Sequence, residues 1–186
     1  TLFPYTTLFR SGLLMPKIIK NVKEDLLTEG KKQLLSNGYL NLNIRNITKK
    51  CNIGTGTFYN YFKNKEQLVI DILSNDWTSI LNISNEIIKE DISFKEKLIF
   101  ISNNINYFLK NYRLIFSEMA KHTSKNHYVI EPMYEILEKL IEIHIEKGEI
   151  NPPISSNKFA YFLLNNLILT SRSELTIDDL LLLLNI

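Results

Sequence analysis

With one cysteine, Cys51, in 186 residues, the chain cannot form an intrachain disulfide, which fits a reducing, cytoplasmic setting. Six glycines and five prolines are too few to turn the corners of a strand-and-hairpin fold. No apolar run reaches the length of about 18 residues that a membrane span needs. The longest leucine cluster, Leu180–Leu184, is far shorter and reads as buried helix. A glycine-rich phosphate loop, an HExxH helix, a CxxC pair and a nucleophile elbow are all missing. Histidine is scarce too. His122 and His127 are badly spaced for one helix face, and His144, between Glu142 and Glu146, reads as part of a solvated face. No catalytic residue, metal or cofactor is therefore expected.

What is present is helix-forming and unevenly charged. Hydrophobic residues make up 45% and charged residues 23%, an ordinary globular composition. The net charge of +2 hides an asymmetry: Met15–Lys65 carries ten Lys/Arg against three Asp/Glu, and Glu66–Ile186 carries eleven against seventeen. A basic segment joined to an acidic one suggests that the first meets a polyanion. The expected organisation is a unit over 15–65 and a second over 66–186. Residues 1–14, beginning TLFPYTTLFRS, read as a sequencing-adapter or assembly artefact, with Pro4, Thr6, Thr7 and Arg10 arguing against a signal peptide.

Apolar residues recur at helical spacing throughout, so the fold class is all-α. Ile19, Val22, Leu26, Gly30 and Leu34 form one stripe of a first helix ending near Asn37-Gly38, with Gly30 placed for a close helix crossing. Asn43 caps a second helix whose buried face is Ile44, Ile47 and Cys51. Asn52 tolerates the positive φ of a tight turn, and a third helix runs from about Gly54 to Tyr61. Two short helices across such a turn describe a helix-turn-helix. Asn64 caps a fourth helix passing Leu68, Ile72, Leu73, Trp77 and Leu81 towards Ile88, and Ser93 caps a fifth through Phe108. Further helices are expected at about 112–120, 130–147, 156–172 and 176–186, with Gly148 and Pro152-Pro153 as a stop.

The segment Gly38–Leu68 resembles the signature of the tetracycline-repressor (TetR) family. The matching elements are Gly38-Tyr39, the polar cap Asn43, Ile47, then Gly56-Thr57-Phe58-Tyr59-Asn60-Tyr61-Phe62, and Lys65 with Leu68. Asn52 and Gly54 stand where that family usually has Gly and often has Ser, so one phosphate contact is put in doubt. The resemblance implies an N-terminal three-helix DNA-binding domain and a C-terminal helical bundle that binds a ligand and dimerises. It carries DNA contact onto Asn43, Arg45, Thr55, Gly56, Thr57, Tyr59, Asn60, Tyr61 and Lys65. Residue chemistry agrees with this assignment. Phe58 and Phe62, four apart, form a back face, while small polar groups, two tyrosines and a cation face outward to bases and phosphates.

For the second unit, Trp77, Tyr107, Phe108, Tyr112, Phe116, Met119, Tyr134 and Phe162 are candidate lining of a pocket for a small apolar or aromatic effector. The dimer interface is expected on the last two helices, at Phe159, Leu163, Leu167, Leu180 and Leu183. A clipped C-terminus is one reading of the apolar end Leu184-Asn185-Ile186. The whole reads as a cytoplasmic, homodimeric repressor that binds a palindromic duplex and is released by its effector. Its rival is a helical protein-interaction module that does not bind DNA.

Overall fold

The computed structural model describes residues 21–121 and 130–186. The expected artefact at 1–14, Ile19 of the first stripe, and His122 and His127 lie outside them. The described residues form eight helices and no strand: α1 (Val22–Asn37), α2 (Ile44–Lys50), α3 (Thr55–Phe58), α4 (Lys65–Ile87), α5 (Phe94–Ala120), α6 (Glu131–Glu146), α7 (Ser156–Thr170) and α8 (Ile177–Leu183). No helix among them is long and apolar enough to cross a membrane.

The helix starts follow the capping residues. Asn43 Oδ1 accepts from the amides of Arg45 and Asn46, and Asn64 Oδ1 from that of Gln67. Ser93 with Glu96, and Thr176 with Asp179, close reciprocal capping boxes. Gly38 and Gly148, both at positive φ, follow the ends of α1 and α6. The expected separate helix at 112–120 does not exist. Buried residues recur every three or four positions from Phe94 to Met119, with no Gly or Pro between them, so α5 runs unbroken. The third helix is shorter than expected and ends at Phe58.

Helices α1 to α3 close over Leu26, Leu34, Leu42, Ile47, Phe58 and Phe62, all buried, and α1 lies across the start of α4. Gly30 sits at that crossing. A Cβ there would come within 3.0 Å of Leu68 Cδ2 and 3.2 Å of Ile72 Cδ1. Lys23–Asp71 (3.4 Å) and Lys31–Asp76 (2.7 Å) are ion pairs between the same two helices. In the expected second unit, α4 to α8, α6 and α7 pack along each other and α5 touches all of its other helices. His144, expected on a solvated face, is fully buried, its Nδ1 against the Glu149 carboxylate.

Candidate nucleic-acid interface and effector cavity

The α2–turn–α3 unit is held from within. Asn52 takes φ 55° in the turn. Ile53 N–H donates to Thr48 O at 3.0 Å, and the Thr48 hydroxyl donates to Arg45 O at 3.1 Å. Phe58 and Phe62 are both buried with ring centroids 5.3 Å apart, the back face expected from their spacing. Opposite them, Gly56, Tyr59, Asn60 and Tyr61 are exposed, and Thr55 and Thr57 are half-buried. On α2, Asn43 and Arg45 are exposed together with Asn46, Lys49 and Lys50, and Lys63 is exposed just beyond Phe62. These last four polar residues were not singled out from sequence. Their excess of positive charge in the basic segment was the available signal.

Two residues of the expected set have structural duties. Asn43 turns its oxygen inward to cap α2. Lys65, expected on a phosphate, instead points into the protein. Its ammonium donates to Tyr39 O at 2.9 Å and Leu40 O at 3.4 Å, and lies 4.5 Å from the centre of the Tyr39 ring. Burial lowers its pKa, partly offset by the Glu118 carboxylate. From the other side, Glu118 Oε2 accepts the amides of Tyr39 (2.8 Å) and Leu40 (3.3 Å). The turn after α1 is thus gripped by α4 through its carbonyls and by α5 through its amides.

In the second unit, a cavity of about 260 Å³ is lined by Trp77 of α4, by Ile105, Phe108, Leu109 and Phe116 of α5, and by Ile130, Ile168 and Arg172. A groove of about 450 Å³ shares Leu109, Phe116 and Arg172 with it and adds Arg113, Ser117 and Ser171. An apolar cavity therefore adjoins a groove lined by two arginines and two serines. No carboxylate among the described residues lies within ion-pair distance of either arginine.

Of the expected pocket residues, Trp77, Phe108 and Phe116 line the cavity and the others do not. Tyr107 is 73% exposed, one residue and so about 100° round α5 from Phe108. Tyr112 is buried behind the wall, its hydroxyl donating to Asp76 Oδ2 at 2.6 Å. Met119 is buried in the core, Tyr134 stacks on Tyr161 in a separate groove, and Phe162 lies on the outer side of α7. Sequence reading missed Arg113 and Arg172, because a lone arginine carries no periodic signal.

Of the residues expected at a dimer interface, Phe159, Leu163, Leu167 and Leu180 are buried within the chain itself, and Leu183 is exposed. Helix α7 is apolar on two sides, and periodicity alone does not tell the inner from the outer. The outward apolar residues of the last two helices are Tyr161, Phe162, Leu169, Leu182 and Leu183.

Residues 26–72 match the family model described as bacterial regulatory proteins, tetR family. The chain is 28% identical over 125 residues to a fatty acid metabolism regulator protein of Bacillus subtilis, a stretch covering 63% of this chain and 64% of that one. It is 28% identical over 112 residues to DhaS, a transcriptional activator of the dhaKLM operon in Lactococcus lactis, covering 53% and 56%. The match thus spans less than two thirds of either relative's length. Among solved structures, FadR of Bacillus subtilis in complex with stearoyl-CoA is similar in fold, with a TM-score of 0.61, 21% identity, and coverage of 80% of this chain and 84% of that one.

Proposed function

We propose that this chain is a transcriptional regulator of the tetR family of bacterial regulatory proteins, acting as a homodimeric repressor released from a palindromic operator by an amphipathic, anionic effector. The observation that carries the DNA-reading part is the polar row Thr57, Tyr59, Asn60 and Tyr61, presented over the buried Phe58 and Phe62, with Arg45 exposed on the preceding helix. Short polar groups over an apolar back face are what a recognition helix needs to enter a major groove without leaving its own core. Tyr59 and Tyr61 supply hydroxyls to phosphates, and Arg45 reaches the backbone or a guanine edge.

The effector class follows from the two-part cavity. Trp77, Phe108, Phe116 and Ile168 offer an apolar surface, and Arg113 and Arg172 with Ser117 offer anion recognition in the groove, the Ser171 hydroxyl being donated to Ile168 O. An acyl chain bearing a phosphate-rich head has this division, and stearoyl-CoA is the ligand in the similar FadR structure. The small apolar or aromatic effector expected from sequence is thereby replaced by one with a charged end. Dimerisation is assigned to the outward residues of α7 and α8, chiefly Phe162, Leu169, Leu182 and Leu183.

The test is duplex affinity with and without stearoyl-CoA, measured by fluorescence anisotropy across salt. Binding through six to ten phosphates weakens by about 10³–10⁵ between 50 and 200 mM salt, and the acyl-CoA lowers affinity further. Affinity indifferent to salt would favour a protein-interaction module. Tighter binding with acyl-CoA would make the ligand a co-repressor or the protein an activator, the latter the role named for DhaS.

A further inference from the structure

The cavity wall and the DNA-reading helices are tied together by named hydrogen bonds. Trp77, Phe108, Tyr112 and Phe116 form one aromatic cluster, with centroids 5.3 Å apart for Trp77–Phe108, 5.1 Å for Phe108–Tyr112 and 6.2 Å for Tyr112–Phe116. Three of the four line the cavity. The fourth, Tyr112, donates its hydroxyl to Asp76 Oδ2 at 2.6 Å, and Asp76 Oδ1 accepts Lys31 Nζ of α1 at 2.7 Å. One turn and a half further along α5, beside the groove residues Phe116 and Ser117, Glu118 grips the amides of Tyr39 and Leu40. The space at that grip is tight, since a Cβ on Gly38 would lie 3.3 Å from the Glu118 carboxylate.

We propose that Tyr112 and Glu118 are the positioning residues through which the cavity and the DNA-reading head sense each other: Tyr112 by way of Asp76 to Lys31, and Glu118 directly on the turn between α1 and α2. A ligand that wedges the aromatic cluster apart, or draws α5, through its Arg113, towards Arg172 beyond the end of α7, cannot leave both links in place. Either α1 and the turn follow α5, or the links break and the head is freed. The adjacent carbonyls remain held by Lys65 of α4, so the turn is pulled between two helices that the ligand separates. This inference rests on the reading of the cavity as an effector site and of α2 and α3 as the DNA reader.

Linkage is reciprocal, so DNA must report on the cavity as the cavity reports on DNA. That removes the need for the natural effector in the test. Trp77 is the only tryptophan and lies in the wall. The full chain is titrated with an operator duplex recovered by genomic capture, with binding followed by anisotropy of labelled DNA and the wall by Trp77 emission. In the native chain the duplex alters Trp77 emission. In Tyr112→Phe and in Glu118→Ala that change falls severalfold at saturating DNA, and in Glu118→Gln, whose amide oxygen still accepts from both N–H groups, it returns. Should Glu118→Ala fail to fold by circular dichroism, Tyr112→Phe, which loses one hydroxyl, decides alone. An undiminished Trp77 response in the variants, or a native chain that binds duplex with no Trp77 response, overturns the proposal. A native chain whose anisotropy never rises defeats the DNA-reading function itself, and the proposal with it.

Discussion

At the scale of single residues, Gly56 separates a folding role from a binding role. A Cβ at Gly56 would meet nothing within 4 Å among the described residues, and the helix would gain about 1 kcal/mol from alanine. Gly56→Ala is therefore expected to raise the melting temperature slightly while weakening duplex binding, as anisotropy would record, because the methyl would collide with DNA docked on this face. Unchanged affinity would remove Gly56 from the interface. Arg45→Ala is expected to reduce the salt slope of binding by about one unit, or to relax one base position; neither change would place Arg45 outside the contact. Glu149 makes a pH prediction. Burial alone would raise its carboxyl, but the Phe94 N–H (2.7 Å) and His144 hold it below its ordinary value near 4.5. The unfolded chain then binds more protons in acid, so this contribution is complete above about pH 4.5 and is lost as pH falls through the lower folded value. Thermal melts across that range should show a shallower acid loss for Glu149→Gln. His144, its partner, was misread from sequence because Glu142 and Glu146 stand two residues away, on other sides of the helix. Its neighbours on its own face, Leu140 and Ile141, are buried and point to the right answer.

At the scale of elements, the caps and glycine stops that bound α1, α2, α4, α5 and α6 were legible, since each rests on a local side chain or on a backbone angle that few residues adopt. The division of the C-terminal region was less so. Helix α5 has an unbroken apolar stripe, which its aromatic-rich second half obscured, and α7 has two apolar sides that differ only in what packs on them. The α1–α4 crossing yields a prediction that depends on Gly30. Gly30→Val places methyl groups against Leu68 and Ile72, at contacts already tight for a single Cβ, and is expected to cost about 1–3 kcal/mol in chemical denaturation. An unchanged unfolding midpoint would mean the two helices move apart freely, contrary to their close packing.

At the scale of the whole molecule, the account requires two reading heads held at a fixed separation, because half-sites about 34–36 Å apart must be met together. The outward leucines of α8 are the place to break this. Leu182 and Leu183 are 80% and 76% exposed, so replacing both with glutamate should leave the fold and helicity intact, yield monomers in sedimentation, and abolish tight operator binding. Leu163→Ala, which empties a fully buried site, is expected instead to cost about 2–5 kcal/mol of stability while leaving the surviving folded protein dimeric. The sequence spoke clearly about DNA because a recognition helix has a fixed local pattern. It spoke weakly about a dimer surface or an effector site because those depend on which side of each helix remains uncovered after packing.

The most direct measurement is capture of fragmented genomic DNA by the full chain at low salt, followed by sequencing of what is retained. The account predicts sharp enrichment of an inverted repeat with half-sites one helical turn apart. A folded dimer that retains DNA without sequence preference, or none at all, would contradict it.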